Sequence, residues 1–305
     1  MSPTKLSDLV DIHSPDAVLK EVQEILHLIS PDLDSAPVVS AFHTVVRLFS
    51  GKYPNYQACN TDYHDLRHTT DAFLAMSRLI HGAMLNGNRF SPLDILTGLT
   101  ASLFHDVGYI QEAHDTEGTG AKYTAVHEQR SARFLERHGV ENGMLQEEIS
   151  RGKVMILCTD LTIDIETLYF PNADVELLGT MINAADLLGQ MADRTYLEKL
   201  LYLYHEFKEG NVGDYTGEVD ILRKTPRFYH FIQNRLKKVS DLLDLFMVSH
   251  FRSRWMIDTN LYTEAILRQL EFLQKILAIP DADPRDYLKR YDIVQKVRAK
   301  YGEHP

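Results

Sequence analysis

Cysteine is nearly missing from this chain, with only Cys59 and Cys158 among 305 residues and no CxxC spacing between them. That excludes a disulfide framework as the source of stability. No uninterrupted apolar run is long enough to span a bilayer, so no membrane partner is expected. The segment Met1-Ser2-Pro3-Thr4-Lys5-Leu6-Ser7-Asp8 lacks the apolar core of a signal peptide, and the expected location is cytoplasmic. Basic charge is also in short supply, 32 Lys and Arg against 43 Asp and Glu, for a net charge of -11. Such a surface repels phosphate backbones and anionic lipid, so no nucleic-acid partner is expected. Alternating strand-like runs are scarce, and no repeat or flexible linker divides the sequence.

What the chain does have is apolar residues at helical spacing almost throughout, which predicts an all-α fold. With 44% hydrophobic residues there is enough for one large core. An N-terminal helical extension is expected over residues 1–36, and a core with C-terminal helices over 37–305. Predicted helices include Thr69 to Leu85, Leu93 to Phe104 after Pro92, His127 to His138, Met144 to Leu161 and Val175 to Phe207. Residues 111–125 read as a loop. So does Glu209 to Thr225, with Pro226 opening the next helix.

Two clusters place metal-binding side chains inside this apolar helical pattern: Tyr63-His64-Asp65-Leu66-Arg67-His68 and Leu103-Phe104-His105-Asp106-Val107-Gly108-Tyr109. A third, Asn183-Ala184-Ala185-Asp186-Leu187-Leu188, adds one carboxylate among small residues. Burying such groups unpaired would be costly. His64 and His68, four apart, share a helix face. His105 and Asp106 are neighbours and point about 100° apart on a regular helix, so they share a cation only near a helix end, where Gly108 lets the backbone turn. Mixed imidazole and carboxylate donors suit Zn, Mn, Fe or a hydrated Mg. Bound cations can reverse the potential inside a pocket, which keeps a small anionic substrate open despite the net charge.

His68, His105-Asp106 and Asp186, in that order, resemble the HD superfamily of metal-dependent phosphohydrolases. Tyr63-His64 ahead of His68 resembles the YHNxxH motif of the class I cyclic-nucleotide phosphodiesterases. Val154-Met155-Ile156-Leu157-Cys158-Thr159-Asp160-Leu161 is similar to that family's apolar run ending in Ala-Thr-Asp-Met. Asn183-Ala184-Ala185-Asp186-Leu187 is similar to its His-Cys-Ala-Asp-Leu. The resemblance implies a single multi-helix HD/phosphodiesterase-like domain with two divalent ions (Zn, Mn, Mg or Fe) in its helical core. His68, His105, Asp106 and Asp186 would bind the first ion, and Asp106 would bridge to a second held largely by water. His64 would be the general acid, helped by a nearby carboxylate, Asp65 or Asp160. The implied substrate is a small-molecule phosphate ester, a cyclic nucleotide or related phosphodiester.

The departures are specific. Asp65 stands where the family has Asn, and Gly108-Tyr109 stands where it usually has Asp-His, closer to the HDxG form of the wider superfamily. Phe228 falls near the position of the family's purine-gripping glutamine. His127-Glu128 resembles the HExxxA piece of HD proteins, with His127 as a second-metal or phosphate contact and Glu128 positioning water. The competing reading is a polar helix N-terminus favoured by the dipole. Arg67 is expected to bind either a phosphate oxygen or a structural carboxylate. Asp160 and Leu161 are further substrate-side candidates, and His114, Asp115 and Lys122 are loop candidates. Trp255 is expected to pack against the domain or a second subunit, which leaves a homodimer open. Alternatives to a phosphodiesterase are an HD-type nucleotide phosphomonoesterase, a di-iron oxygenase, and a non-catalytic nucleotide-binding module.

Overall fold

The computed structural model describes residues 4–302; among them, twelve α-helices and several short 3-10 turns make up the regular structure, and no β-strand occurs. The architecture is all-α, as periodicity predicts. No helix among the described residues is long and apolar enough to cross a membrane.

The centre of the bundle is α3 (Leu66–Leu85), in which every residue from His68 to Ala83 is buried. A helix hidden on all sides belongs in the middle of a core. Asp65 caps its start, its carboxylate accepting the His68 N–H at 2.8 Å, so His68 sits in the first turn. Around α3 lie α1 (Pro15–Ile29), α4 (Pro92–Phe104), α7 (Ala173–Ala192) and α10 (Ser240–Trp255). The expected N-terminal extension is part of this core: Val18, Val22 and Ile25 of α1 are buried in it, while residues 1–3 of that segment lie outside the described residues. The approach of α7 to α3 is close enough that a Cβ on Gly189 would come within 3.0 Å of the Ala72 nitrogen.

On one flank, α2 (Ala36–Phe49), α5 (His127–Glu141) and α6 (Gln146–Leu157) pack against α4. On the other, α8 (Tyr196–Glu209), α9 (Glu218–Arg235), α11 (Leu261–Leu277) and α12 (Ile293–Tyr301) form a second group.

Several boundaries differ from expectation. The helix predicted over Val175 to Phe207 is two helices, α7 and α8. The Asp193 carboxylate accepts from the Thr195 N–H and hydroxyl, each at 2.9 Å, so side-chain bonds replace the helical ladder there. Pro226 does not open a helix; it lies inside α9, which starts at Glu218. Burial of Ile221 and Leu222 holds that first stretch helical in spite of the proline. Part of the loop expected over 111–125 is a 3-10 turn, Gly120–Val126.

Candidate metal centre

Helices α3, α4 and α7 bring donors toward one point, and α5 sets His127 beside it. His68 comes from the first turn of α3, and Asp186 from the middle of α7. His105 caps the C-terminus of α4 and Asp106 follows it, just before the 3-10 turn Val107–Tyr109. Leaving the helix here lets the two neighbours converge, as their spacing required. Gly108 serves this turn by a different route from the one expected. Its φ is not positive; a Cβ would instead lie 2.0 Å from the His127 carbonyl oxygen, so glycine lets the turn pass against the start of α5. The Ser131 hydroxyl pins the same turn, donating to the His105 carbonyl at 2.5 Å and accepting the Gly108 N–H at 2.9 Å.

His68, His105 and Asp106 are all buried, and one ligand atom from each lies within 4.8 Å of the others. His68 Nε2 is 3.1 Å from Asp106 Oδ2 and 3.0 Å from Asp186 Oδ1. His105 Nε2 is 3.4 Å and 3.6 Å from the same two oxygens. The Nδ1 of His105 donates to the Ser102 carbonyl at 2.7 Å, which turns its Nε2 lone pair toward the carboxylates. His105 Nε2 and Asp106 Oδ2 have no hydrogen-bond partner. Two orphaned donor atoms aimed at one point are what a cation would satisfy, and the donor set suits a divalent metal.

Charge in the cluster is tightly balanced. Burial alone would raise the Asp106 carboxyl, but the imidazoles of His105 and His68 outweigh it and hold Asp106 well below the ordinary carboxylate range. Burial works against charge on His68 too, yet Asp106 and Asp186 raise it well above the usual imidazole value. A single imidazolium would leave one of the two carboxylate charges uncompensated, whereas a divalent cation would match both.

Beyond the cluster, a cavity of about 350 Å³ opens over Asp106. His127, the first residue of α5, places Nε2 3.6 Å from the other Asp106 oxygen, while its Nδ1 donates to the Thr124 carbonyl at 2.8 Å. Burial pushes His127 down to about 4, which leaves Nε2 a free lone pair at neutral pH. Asp106 thus has an imidazole near each of its oxygens. Glu128 is also in the lining, its carboxyl pushed up to about 8 by burial. Asp160, Leu161 and Phe228 line the cavity as well, Phe228 on its apolar wall with Leu203, Phe207 and Ile221.

His64 faces the centre from the loop before α3. Its ring stacks on Tyr109, centroids 4.2 Å apart, and Tyr109 stacks in turn on His127 at 4.4 Å. The carboxylate beside His64 is neither Asp65 nor Asp160. It is Glu206 of α8, whose Oε2 lies 2.6 Å from His64 Nδ1. Glu206 Oε1 accepts the N–H groups of Asp62 and Tyr63 at 2.8 and 2.6 Å, so the carboxylate is held rigidly. Asp65 is occupied as the α3 cap, and Asp160 accepts from Thr162. Nothing near Glu206 in the sequence marks it, because its role comes from a contact 142 residues away.

Other candidates fall outside the site. Arg67 turns away from the cavity and pairs with Asp193 at 2.6 Å, with Asp71 at 3.9 Å. It has the structural carboxylate partners and does not line the cavity over Asp106. Lys122 and Tyr123 both donate to the Asp115 carboxylate, and His114 projects into solvent. Gln190, which sequence reasoning missed, lines the cavity, accepts from the Tyr63 hydroxyl at 2.5 Å and approaches Asp186 at 3.4 Å.

The model of the Npun_R2479-like family matches residues 50–266, so the chain belongs to that family. The matched stretch includes every residue of the centre from Tyr63 to Phe228. No curated protein matches the chain.

Proposed function

We propose that this member of the Npun_R2479-like family is a divalent-metal-dependent phosphohydrolase acting on a small phosphate ester, with a phosphodiester as the leading class. The observation that carries the reading is the buried His68–His105–Asp106 group, with Asp186 beside it and His64 across the same cavity. The order and spacing of these residues, which resemble the HD phosphohydrolases, support it independently.

His68, His105, Asp106 and Asp186 would hold one cation, and Asp106 with His127 would reach a second. Such cations supply Lewis-acid neutralisation of a phosphoryl group and lower the pKa of a nearby water. The protein's own side chains divide the remaining work. No lysine or arginine lines the cavity, so substrate charge has no cationic side chain to meet it. The His64 ring is fixed between Tyr109 and Glu206, with Nδ1 bonded to the carboxylate. Only Nε2 is left to pass a proton to a departing oxygen. The apolar wall around Phe228 excludes water and accepts the organic part of the ester. With phenylalanine in place of an amide, that wall offers no paired hydrogen bond to a nucleobase, so shape and apolar area decide selectivity there.

A second reading, an HD-type di-iron oxygenase, is favoured by the histidine on the far oxygen of Asp106. It predicts oxygen consumption by the iron-loaded protein, where the phosphohydrolase consumes none whichever metal it holds. The test is a turnover screen over cyclic nucleotides, nucleotides and simple phosphodiesters, with Mn, Mg, Zn or Fe, using wild type and Asp106→Ala. Phosphate-ester cleavage by the wild type alone supports the proposal. Equal rates in the two proteins, or no cleavage with any metal, would sink it.

A further inference from the structure

A second cavity, also about 350 Å³, lies on the other side of α3, against α7 and α11. Arg67, Asp71, Leu74 and Arg78 recur at helical spacing and form its α3 wall. Leu6, Val10 and Ile12 from the N-terminal segment supply an apolar wall, and Arg194 and Arg268 stand at the exposed rim. In a chain whose net charge is -11, this lining carries six lysine and arginine side chains against three aspartates.

Arg78 is the informative residue. It is only 1% exposed, and among the described residues it forms no ion pair. Its Nη1 donates to the Tyr262 hydroxyl at 2.8 Å, while Nε and Nη2 have no hydrogen-bond partner. Phe251, Trp255 and Tyr262 surround the guanidinium at 5.5, 5.6 and 5.6 Å, which offsets part of the cost of burying it. Ring faces do not satisfy N–H donors, and an unpaired buried guanidinium edge is costly. The aspartates do not supply the missing partner: Asp193 and Asp71 both lie beside the Arg67 guanidinium. The Nε–Nη2 edge left open is the one whose two parallel N–H groups match two oxygens of a carboxylate or phosphate.

We propose that this cavity is a binding site for a small amphipathic oxyanion, its carboxylate or phosphate on the Nε–Nη2 edge of Arg78 and its apolar body against Leu6, Val10 and Ile12. The site needs no metal and does not depend on the proposed hydrolase activity. It shares α3 and α7 with the metal centre but none of that centre's donor side chains.

Trp255 is the only tryptophan in the chain and lies against Arg78, so its fluorescence reports on the surroundings of that guanidinium. The full-length protein is titrated with inorganic phosphate, acetate and hexanoate at constant ionic strength. The expected result is a saturable change, stronger with hexanoate than with acetate; the ranking of phosphate against acetate names the head group. Arg78→Lys keeps a cation but loses the fork, and should weaken binding about tenfold or more. Should that variant not fold, the exposed pair Arg194→Glu with Arg268→Glu decides, and is expected to weaken binding about tenfold. The response should persist in Asp106→Ala. A non-saturable response to all three anions, unchanged affinity in the folded variants, or loss of the response in Asp106→Ala would overturn the proposal.

Discussion

Two cavities of similar size flank α3, and their linings carry opposite charge. The one over Asp106 holds four carboxylates and three histidines with no lysine or arginine; the one behind it is rich in arginine. Both draw on the first turns of the same helix, where Arg67 and His68 are neighbours in sequence. Adjacent helical residues point about 100° apart, and that angle sends one side chain to each cavity. A local run of sequence is therefore a poor guide to shared function. Arg67 adjoins His68 and was open to either a phosphate oxygen or a structural carboxylate, yet it belongs to the other side of the wall. The charge contrast also separates what each cavity can take. The first attracts cations, and through them anions; the second attracts anions directly.

That contrast can be broken most forcefully at Asp106. Asp106→Ala removes the proposed bridging carboxylate, and metal affinity measured by chelator competition should fall by more than the roughly 100-fold that loss of a mere supporting partner costs. The fluorescence response of the second cavity should be untouched. His64→Ala should lower kcat by about 10²–10⁴ with metal content unchanged, as expected of a proton donor rather than a ligand. Glu206→Gln should move kcat the same way by less, since Nδ1 keeps a partner.

Each side of α3 also has one carboxyl that burial pushes up to about 8, Glu128 in front and Asp71 behind. Because the folded protein holds these protons over a range where the unfolded chain has released them, metal-free protein should lose stability as pH rises from the ordinary carboxylate range to about 8. Glu128→Gln and Asp71→Asn should each flatten that decline in thermal unfolding profiles; parallel profiles for wild type and both variants would refute it. Gly108→Ala forces a methyl into the His127 backbone and should cost about 1–3 kcal/mol in denaturant unfolding. Its metal affinity should fall too, since the turn carries Asp106. The smallest effect is expected at the outer wall: Phe228→Ala should raise KM about tenfold while leaving kcat unchanged.

Legibility followed the length scale of each interaction. The all-α class, the convergence of His105 and Asp106 at a helix end, and the burial of His68 were readable because periodicity, caps and apolar flanks are local. Residues that act across the fold carried no such mark. Glu206 sits in an ordinary amphipathic helix, and only the packing of α8 beneath the loop at Asp62 and Tyr63 makes it the partner of His64. Pro226 misled for the same reason, because burial of Ile221 and Leu222 outweighed a local preference. Gly108 was rightly singled out, but the need it meets is room for the His127 backbone rather than a turn in φ.

By itself, then, the sequence determined that this chain is a helical bundle and which side chains are chemically equipped to hold a metal. Both follow from residue type and near-neighbour spacing, which act before the chain is folded. Only the tertiary structure decided which carboxylate serves His64, which side of α3 claims Arg67, and that Arg78 is buried with one edge unpaired. Those depend on surfaces brought together from distant segments, where the position of a neighbour is set by how the whole core packs.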